Sequence, residues 1–173
     1  HIDYIPVDDS GRVNPQKIKN ILTDSTALVT IQQANSEVGT LQNISEIGKL
    51  VQKKGILFHT DAVQSVGKMP VNVSDLGVDL LSISSHKIYG PKGVGALFVK
   101  RGTPALFSPV CGGGQEKKRR GGTENVPSIV GFGKACQIAQ HRVNKGKTEE
   151  LKKMRDQLRE RINELVPNVK FFG

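Results

Sequence analysis

The chain has 173 residues, 36% of them hydrophobic, which is enough for one buried core and too few for several domains. Lys and Arg outnumber Asp and Glu by 25 to 16, a net charge of +9, but the excess gathers in KKRR at 117–120 and in a helix-like segment from Lys145 to Arg161. In that segment acids and bases interleave, as at Glu149 and Lys153, so it reads as a solvated face and no nucleic-acid partner is expected. Cys111 and Cys136 lack metal-ligand spacing and point to a reducing compartment, and no apolar run reaches the ~18 residues of a membrane span, so a soluble, cytoplasmic protein without metal or membrane association is expected.

HIDYIPV at the start reads as a strand, and since no Met precedes it the chain reads as a fragment of something larger. A turn at DDSGR leads to a helix over NPQKIKNILT, where Asn14 can cap and Pro15 takes the first helical position. ALVTIQQ (27–33) is rich in β-branched residues and reads as a strand, closed by Asn35 and a turn at Gly39. NISEIGKLVQKKG places Ile44, Ile47, Leu50 and Val51 on one helical face, with Gly55 as its stop. ILFHTDAVQ, VDLLSIS and GVGALFVKR supply three further strands. CGGGQEKKRRGGTEN is too rich in glycine and charge for an element and reads as a loop, followed by helices over about 125–141 and 148–166, broken by NKGK, and a last strand-like run, VKFFG. Strands alternating with helices define a layered α/β domain with a largely parallel sheet.

In such sheets ligands bind beyond the carboxyl ends of the strands, where loops are free to present side chains and backbone donors. Those ends carry Asn35, then His59, Asp61 and Gln64, then Ser84, Ser85, His86 and Lys87. Asn35 to Asp61 and Asp61 to Lys87 are both steps of 26 residues, about one β–α–β unit, so neighbouring strands bring an amide, a carboxylate and a lysine to one rim. Taken singly, Asp61 suits a strand-end turn, Lys87 a snorkelling surface position and His59 a hydrogen-bonded structural histidine. Taken together, a lysine at a dry rim with a carboxylate opposite suits a Schiff base with pyridoxal phosphate better than a plain ion pair. In that arrangement Asp61 keeps the pyridine nitrogen protonated, Ser84 and His86 hydrogen-bond the phosphate, and Asn35 and Gln64 reach the phenolic oxygen. GPKGVG (90–95) is no dinucleotide loop, because a strand and not a helix follows it; its glycines suit a turn and close backbone packing.

NSEVG (35–39), HTDAVQSVGK (59–68), SSHKIYGPKGVGALFV (84–99) and GGGQEKKRRGGTEN (112–125) together resemble the successive motifs of the cysteine desulfurase and selenocysteine lyase family, class V of the fold-type-I pyridoxal phosphate enzymes. The resemblance covers nearly the whole chain. It implies the α/β large domain of fold-type-I transferases, with Lys87, Asp61 and His86 as catalytic residues and Asn35, Asp61, Gln64, Ser84, His86, Lys87 and Thr123 as contacts to pyridoxal 5'-phosphate. It implies a homodimer, since Thr123 matches a residue that reaches the phosphate of the neighbouring subunit. It also implies an amino-acid substrate, cysteine or selenocysteine, converted to alanine, and, for the full-length enzyme, a sulfur-acceptor protein that feeds iron–sulfur cluster assembly or other sulfur transfer.

The departures set further expectations. The family's upstream phosphate turn and ring-stacking histidine, and its downstream nucleophilic cysteine and substrate arginine, have no match here, so the fragment alone is expected to be inactive. Residues 1–141 read as part of the large domain, and 142–173 as a helix and the start of a strand leading into a small domain. NSE stands where many family members have NNE, a change at Ser36 that leaves Asn35 in place. Neither cysteine matches the nucleophile, and both read as structural. The alternatives are another class V enzyme, an aminotransferase or kynureninase-like lyase, and a non-catalytic module that retains the fold.

Overall fold

The local signals in the first third of the chain form elements where the residues dictate. In the computed structural model, which describes residues 1–172, helix α1 runs Pro15–Ile21, with the Asn14 side chain accepting from the Gln16 N–H. Strand β1 is Leu28–Gln32, and α2 is Ile44–Gln52, capped by Asn43, whose side chain accepts from the Glu46 N–H. Ile44, Ile47 and Val51 of α2 are buried as their spacing requires, and Gly48 lets the helix approach Leu76, whose carbonyl oxygen would lie 2.6 Å from an added Cβ. Strand β2 is Leu57–Asp61, α3 a single turn at Val73–Leu76, β3 Leu80–Ser84 and β4 Gly95–Val99. A short turn, α4, at Gln115–Lys118 precedes two long helices, α5 at Val126–Asn144 and α6 at Lys147–Leu165.

The four strands form one sheet in the order β1-β2-β3-β4, the first three parallel and β4 antiparallel to β3. The carboxyl ends of β1, β2 and β3 therefore share one edge with the amino end of β4, because Ser84 pairs with Gly95. The two faces of the sheet differ. Val29, Ile31, Phe58 and Leu81 pack with Ile18 of α1 and Ile44, Ile47 and Val51 of α2 into the main core. Each such large apolar side chain contributes about 1.5–3 kcal/mol. The opposite face carries Thr30, His59, Asp61 and Ser82. A second, smaller core forms where Ile88 meets Phe132, Ala135 and Ala139 of α5.

Several expectations fail for identifiable reasons. Residues 1–6 form no strand; Ile2 and Tyr4 are exposed, and the segment contributes only an isolated bridge from Val7 to Val13. No neighbouring strand lies beside it, and a strand without ladder partners gains nothing from β propensity. VKFFG is likewise not a strand over residues 169–172, and its last residue lies outside the described residues. The loop at 111–125 contains α4, but Glu116 and Lys117 have φ of 50° and 57°, so it is a left-handed turn and not a true helix. On α6 the ion pairs are Lys147–Glu150 and Arg155–Asp156, and Glu149–Lys153 is not among them. Among the described residues no helix is long and apolar enough to cross a membrane.

Candidate active site

Lys87 is placed by a turn whose neighbours are buried while it is not. Ser85–Ile88 form a single 3-10 turn directly after β3, in which Ser85 and Ile88 are buried and His86 and Lys87 are exposed. Ile88 anchors the turn in the smaller core against α5. Tyr89 ends it in the left-handed region, φ 65°, and the Gly90 N–H donates to the Ser85 carbonyl at 3.0 Å. A Cβ on Gly90 would collide with Ser85 Oγ, and one on Gly95 would lie 2.7 Å from the Ile83 carbonyl oxygen. Gly90 and Gly95 thus serve close packing, while Gly93, at φ 77° with open space around it, serves a turn, as the sequence implies. Ser84 Oγ and His86 Nδ1 are hydrogen-bonded at 2.9 Å across this turn.

Asn35 lies in the loop after β1, where its Oδ1 accepts from the Glu37 and Val38 N–H groups at 2.9 and 3.1 Å. This closes NSEVG into a tight turn and leaves the Nδ2 donors toward Gln32 Oε1, at a long 3.4 Å. Gln64, in the loop after β2, accepts from Lys68 Nζ at 2.9 Å through Oε1, and its Nε2 has no partner among the described residues. Asn35, Gln64, Lys68 and Lys87 line one cavity of about 900 Å³, closed on its far side by α5 and α6, which contribute Arg142 and Lys152. Arg142 also lies over the Tyr89 ring, 5.5 Å from its centre. The cavity offers amide and ammonium donors among a largely apolar lining that also contains Glu149, and those donors suit an anionic ligand with a further acceptor oxygen.

Asp61 ends β2 on the polar face of the sheet, in register with Gln32 of β1 and Ser82 of β3, and its Oδ1 accepts from the Val63 N–H at 2.8 Å. Two residues earlier, His59 bridges three strands: Nδ1 pairs with Thr30 Oγ1 at 2.6 Å and Nε2 with Ser82 Oγ at 2.9 Å. It is the hydrogen-bonded structural histidine that its strand position implies. Burial pushes its pKa below 6.5, and the nearby Asp61 charge only partly offsets this. The folded state then holds fewer protons than the unfolded one as pH falls through about 6.5, so stability present above that pH is lost below it. Urea denaturation at pH 7.5 and pH 5.5 should show this loss in the wild type, and His59→Gln should show less of it. Equal losses would contradict the assignment.

Not all of the expected residues meet. Asn35, Gln64 and Lys87 share the cavity; Ser84 and His86 pair beside it; Asp61 stands on the same strand edge without lining the cavity. Thr123 is exposed in the glycine-rich loop and does not line the cavity either. Cys136 is partly buried against the smaller core, and burial pushes its thiol pKa up. Cys111 is exposed and belongs to neither core, so the structural role expected of it does not hold. Lys68 and Arg142 were not among the expected site residues. For Lys68 a signal existed, since Gln64 and Lys68 stand four residues apart within HTDAVQSVGK.

The fold and the donor set define an α/β domain with a ligand-sized cavity, and comparison with known proteins narrows it. The class-V aminotransferase pattern matches residues 1–173, and the chain belongs to that family. It is 46% identical over 172 residues to the cysteine desulfurase IscS of Clostridium botulinum, covering 99% of this chain and 43% of that protein. Its structure is similar to that of a NifS-like protein from Rickettsia africae, with a TM-score of 0.87 and 35% identity, covering 97% of this chain and 49% of the other. It is also similar to SspA in complex with cysteine, with a TM-score of 0.73 and 43% identity, covering 77% of this chain and 38% of the other. The chain spans less than half the length of the curated relatives it matches.

Proposed function

We propose that this chain is the cofactor-binding part of a pyridoxal-phosphate-dependent cysteine desulfurase, which takes sulfur from L-cysteine, or selenium from L-selenocysteine, and leaves L-alanine. The observation that carries the proposal is the cavity in which Asn35, Gln64 and Lys87 converge from loops after three parallel strands, in a chain 46% identical to a named cysteine desulfurase. The structure of SspA with cysteine supports an amino-acid substrate. The similarity runs to desulfurases, which favours this reading over an aminotransferase or kynureninase-like lyase. Sulfur passing to an acceptor protein for iron–sulfur cluster assembly, and a cytoplasmic location, belong to the same proposal.

The residues present fit the cofactor. Lys87 is exposed on a rigid turn and supplies the amine for covalent attachment; Asn35 and Gln64 present amide donors for the phenolic oxygen; Ser84 and His86 offer a hydroxyl and a ring nitrogen for the phosphate. Asp61, at the end of β2 on the same strand edge and outside the lining of the cavity, is assigned on this proposal the carboxylate that keeps the pyridine nitrogen protonated. When bound, pyridoxal phosphate supplies an electron sink conjugated to the substrate Cα. The chain's own contributions are then distinct. Lys87 Nζ would move the proton at the substrate Cα, and the buried Ser85 and Ile88 hold the turn that carries it. Ile88, Ala135 and Ala139 of the smaller core give the cavity an apolar part to its lining. Residues 1–141 form part of the large domain on this proposal, and 142–173 lead toward the small one.

The test is release of sulfide and alanine from cysteine by the full-length protein with pyridoxal phosphate and a thiol reductant. Stoichiometric alanine supports the proposal, and pyruvate or an amino-group exchange product in its place contradicts it. Thr123 belongs to the same proposal as a contact made across a dimer interface. A mixed dimer of Thr123→Ala and Lys87→Ala subunits then has both lesions at one site and none at the other. Such a hybrid should retain about half of the wild-type cofactor. Retention no better than that of the Thr123→Ala homodimer contradicts the trans contact.

A further inference from the structure

Lys68 lines the cavity in the same loop as Gln64, and the mechanism above assigns it nothing. It lies in the loop after β2, lines the cavity with Lys87, and donates to Gln64 Oε1 at 2.9 Å. Neither Lys68 nor Lys87 is in an ion pair among the described residues. Partial burial and the Lys87 charge both push the Lys68 ammonium below its ordinary value, so an anion in the cavity relieves repulsion already present.

The contact with Gln64 has a specific consequence. A glutamine amide can turn about its last bond and so present either an acceptor oxygen or two N–H donors to a ligand. An ammonium has donors only, so it selects the amide oxygen and leaves Nε2 for whatever else is in reach. Without Lys68 the two ends of the amide are equivalent choices, and the cavity loses a fixed donor.

We propose that Lys68 is a positioning residue that holds the Gln64 carbonyl oxygen and thereby fixes the Gln64 Nε2 donors for an anionic oxygen of the ligand. The inference rests on the proposed function in taking that oxygen to be the phenolic oxygen of pyridoxal phosphate. Lys68 acts through Gln64 and not by contact with the reacting atoms. Arginine can keep the donor to Oε1, while methionine keeps the aliphatic stem and removes it.

Two measurements test this, one without cofactor. In the unloaded protein, the Gln64 side-chain N–H pair should give a distinct amide resonance that Lys68→Met moves to the position of a solvent-exposed glutamine and Lys68→Arg leaves in place. In the loaded protein, Lys68→Met should weaken pyridoxal phosphate binding by about tenfold, the effect of losing one charge-assisted hydrogen bond, and Lys68→Arg should restore most of it. Gln64→Ala should weaken binding similarly, and the double variant should be little worse than either single one. An unchanged Gln64 resonance in Lys68→Met, or additive losses in the double variant, overturns the inference. Wild-type protein that takes up no pyridoxal phosphate overturns the functional proposal instead, and the unloaded measurement still decides the Lys68–Gln64 contact.

Discussion

Lys87→Ala is expected to abolish covalently fixed cofactor and to lower kcat/KM for cysteine by at least about 10⁴-fold, because on the proposed function one side chain supplies both the attachment point and the base at the substrate Cα. The fold should survive the change. Lys87 is exposed, while the turn that carries it is held by Ser85, Ile88 and the Gly90 contact behind it. The check is to pair activity with a thermal unfolding midpoint. A large activity loss at an unchanged midpoint is the predicted result, and retained turnover contradicts the role of Lys87. Lys68, nearby on the same cavity wall, is the residue to watch for residual covalent attachment.

Asp61→Ala is expected to act differently, lowering kcat by roughly 10²–10³-fold, the range for removing one preorganised electrostatic partner, while leaving covalent attachment at Lys87 intact. The carboxylate lies at the end of β2 on the polar face and is not needed to build the turn that holds the lysine. Borohydride fixation and steady-state kinetics on the same preparation separate the two functions. Wild-type kcat in Asp61→Ala contradicts its assignment to the pyridine nitrogen. Asp61→Asn tests the charge alone, since the amide preserves shape but cannot stabilise the protonated ring to the same degree.

How much of this was legible beforehand follows from where each signal lies. The first two helices were readable, since Asn14 and Pro15 mark the start of one, and the 44, 47, 51 stripe with Gly55 gives the other a period and a stop. The strands that lead to Asn35 and Lys87, and the one that ends at Asp61, were readable because their apolar runs end in polar residues at regular intervals. HIDYIPV and VKFFG misled because strand propensity is realised only beside a partner, and Val7 finds only one isolated bridge. That Asp61 lies outside the lining shared by Asn35, Gln64 and Lys87 was not legible, because the lining depends on how the loops after the strands fold and not on their spacing in the sequence. Nor was the Tyr89–Arg142 stack, which joins a strained turn to a helix 53 positions later and leaves no local pattern.

The central claim is that pyridoxal phosphate attaches at Lys87, and it is tested most directly by reducing the loaded full-length protein with borohydride and mapping the modified peptide by mass spectrometry. The predicted result is one pyridoxyl phosphate group on Lys87 within the segment SSHKIYGPK, lost in Lys87→Ala and kept in Lys68→Met. A cofactor mapped to Lys68, to any other lysine, or to none in the wild-type protein would contradict the account.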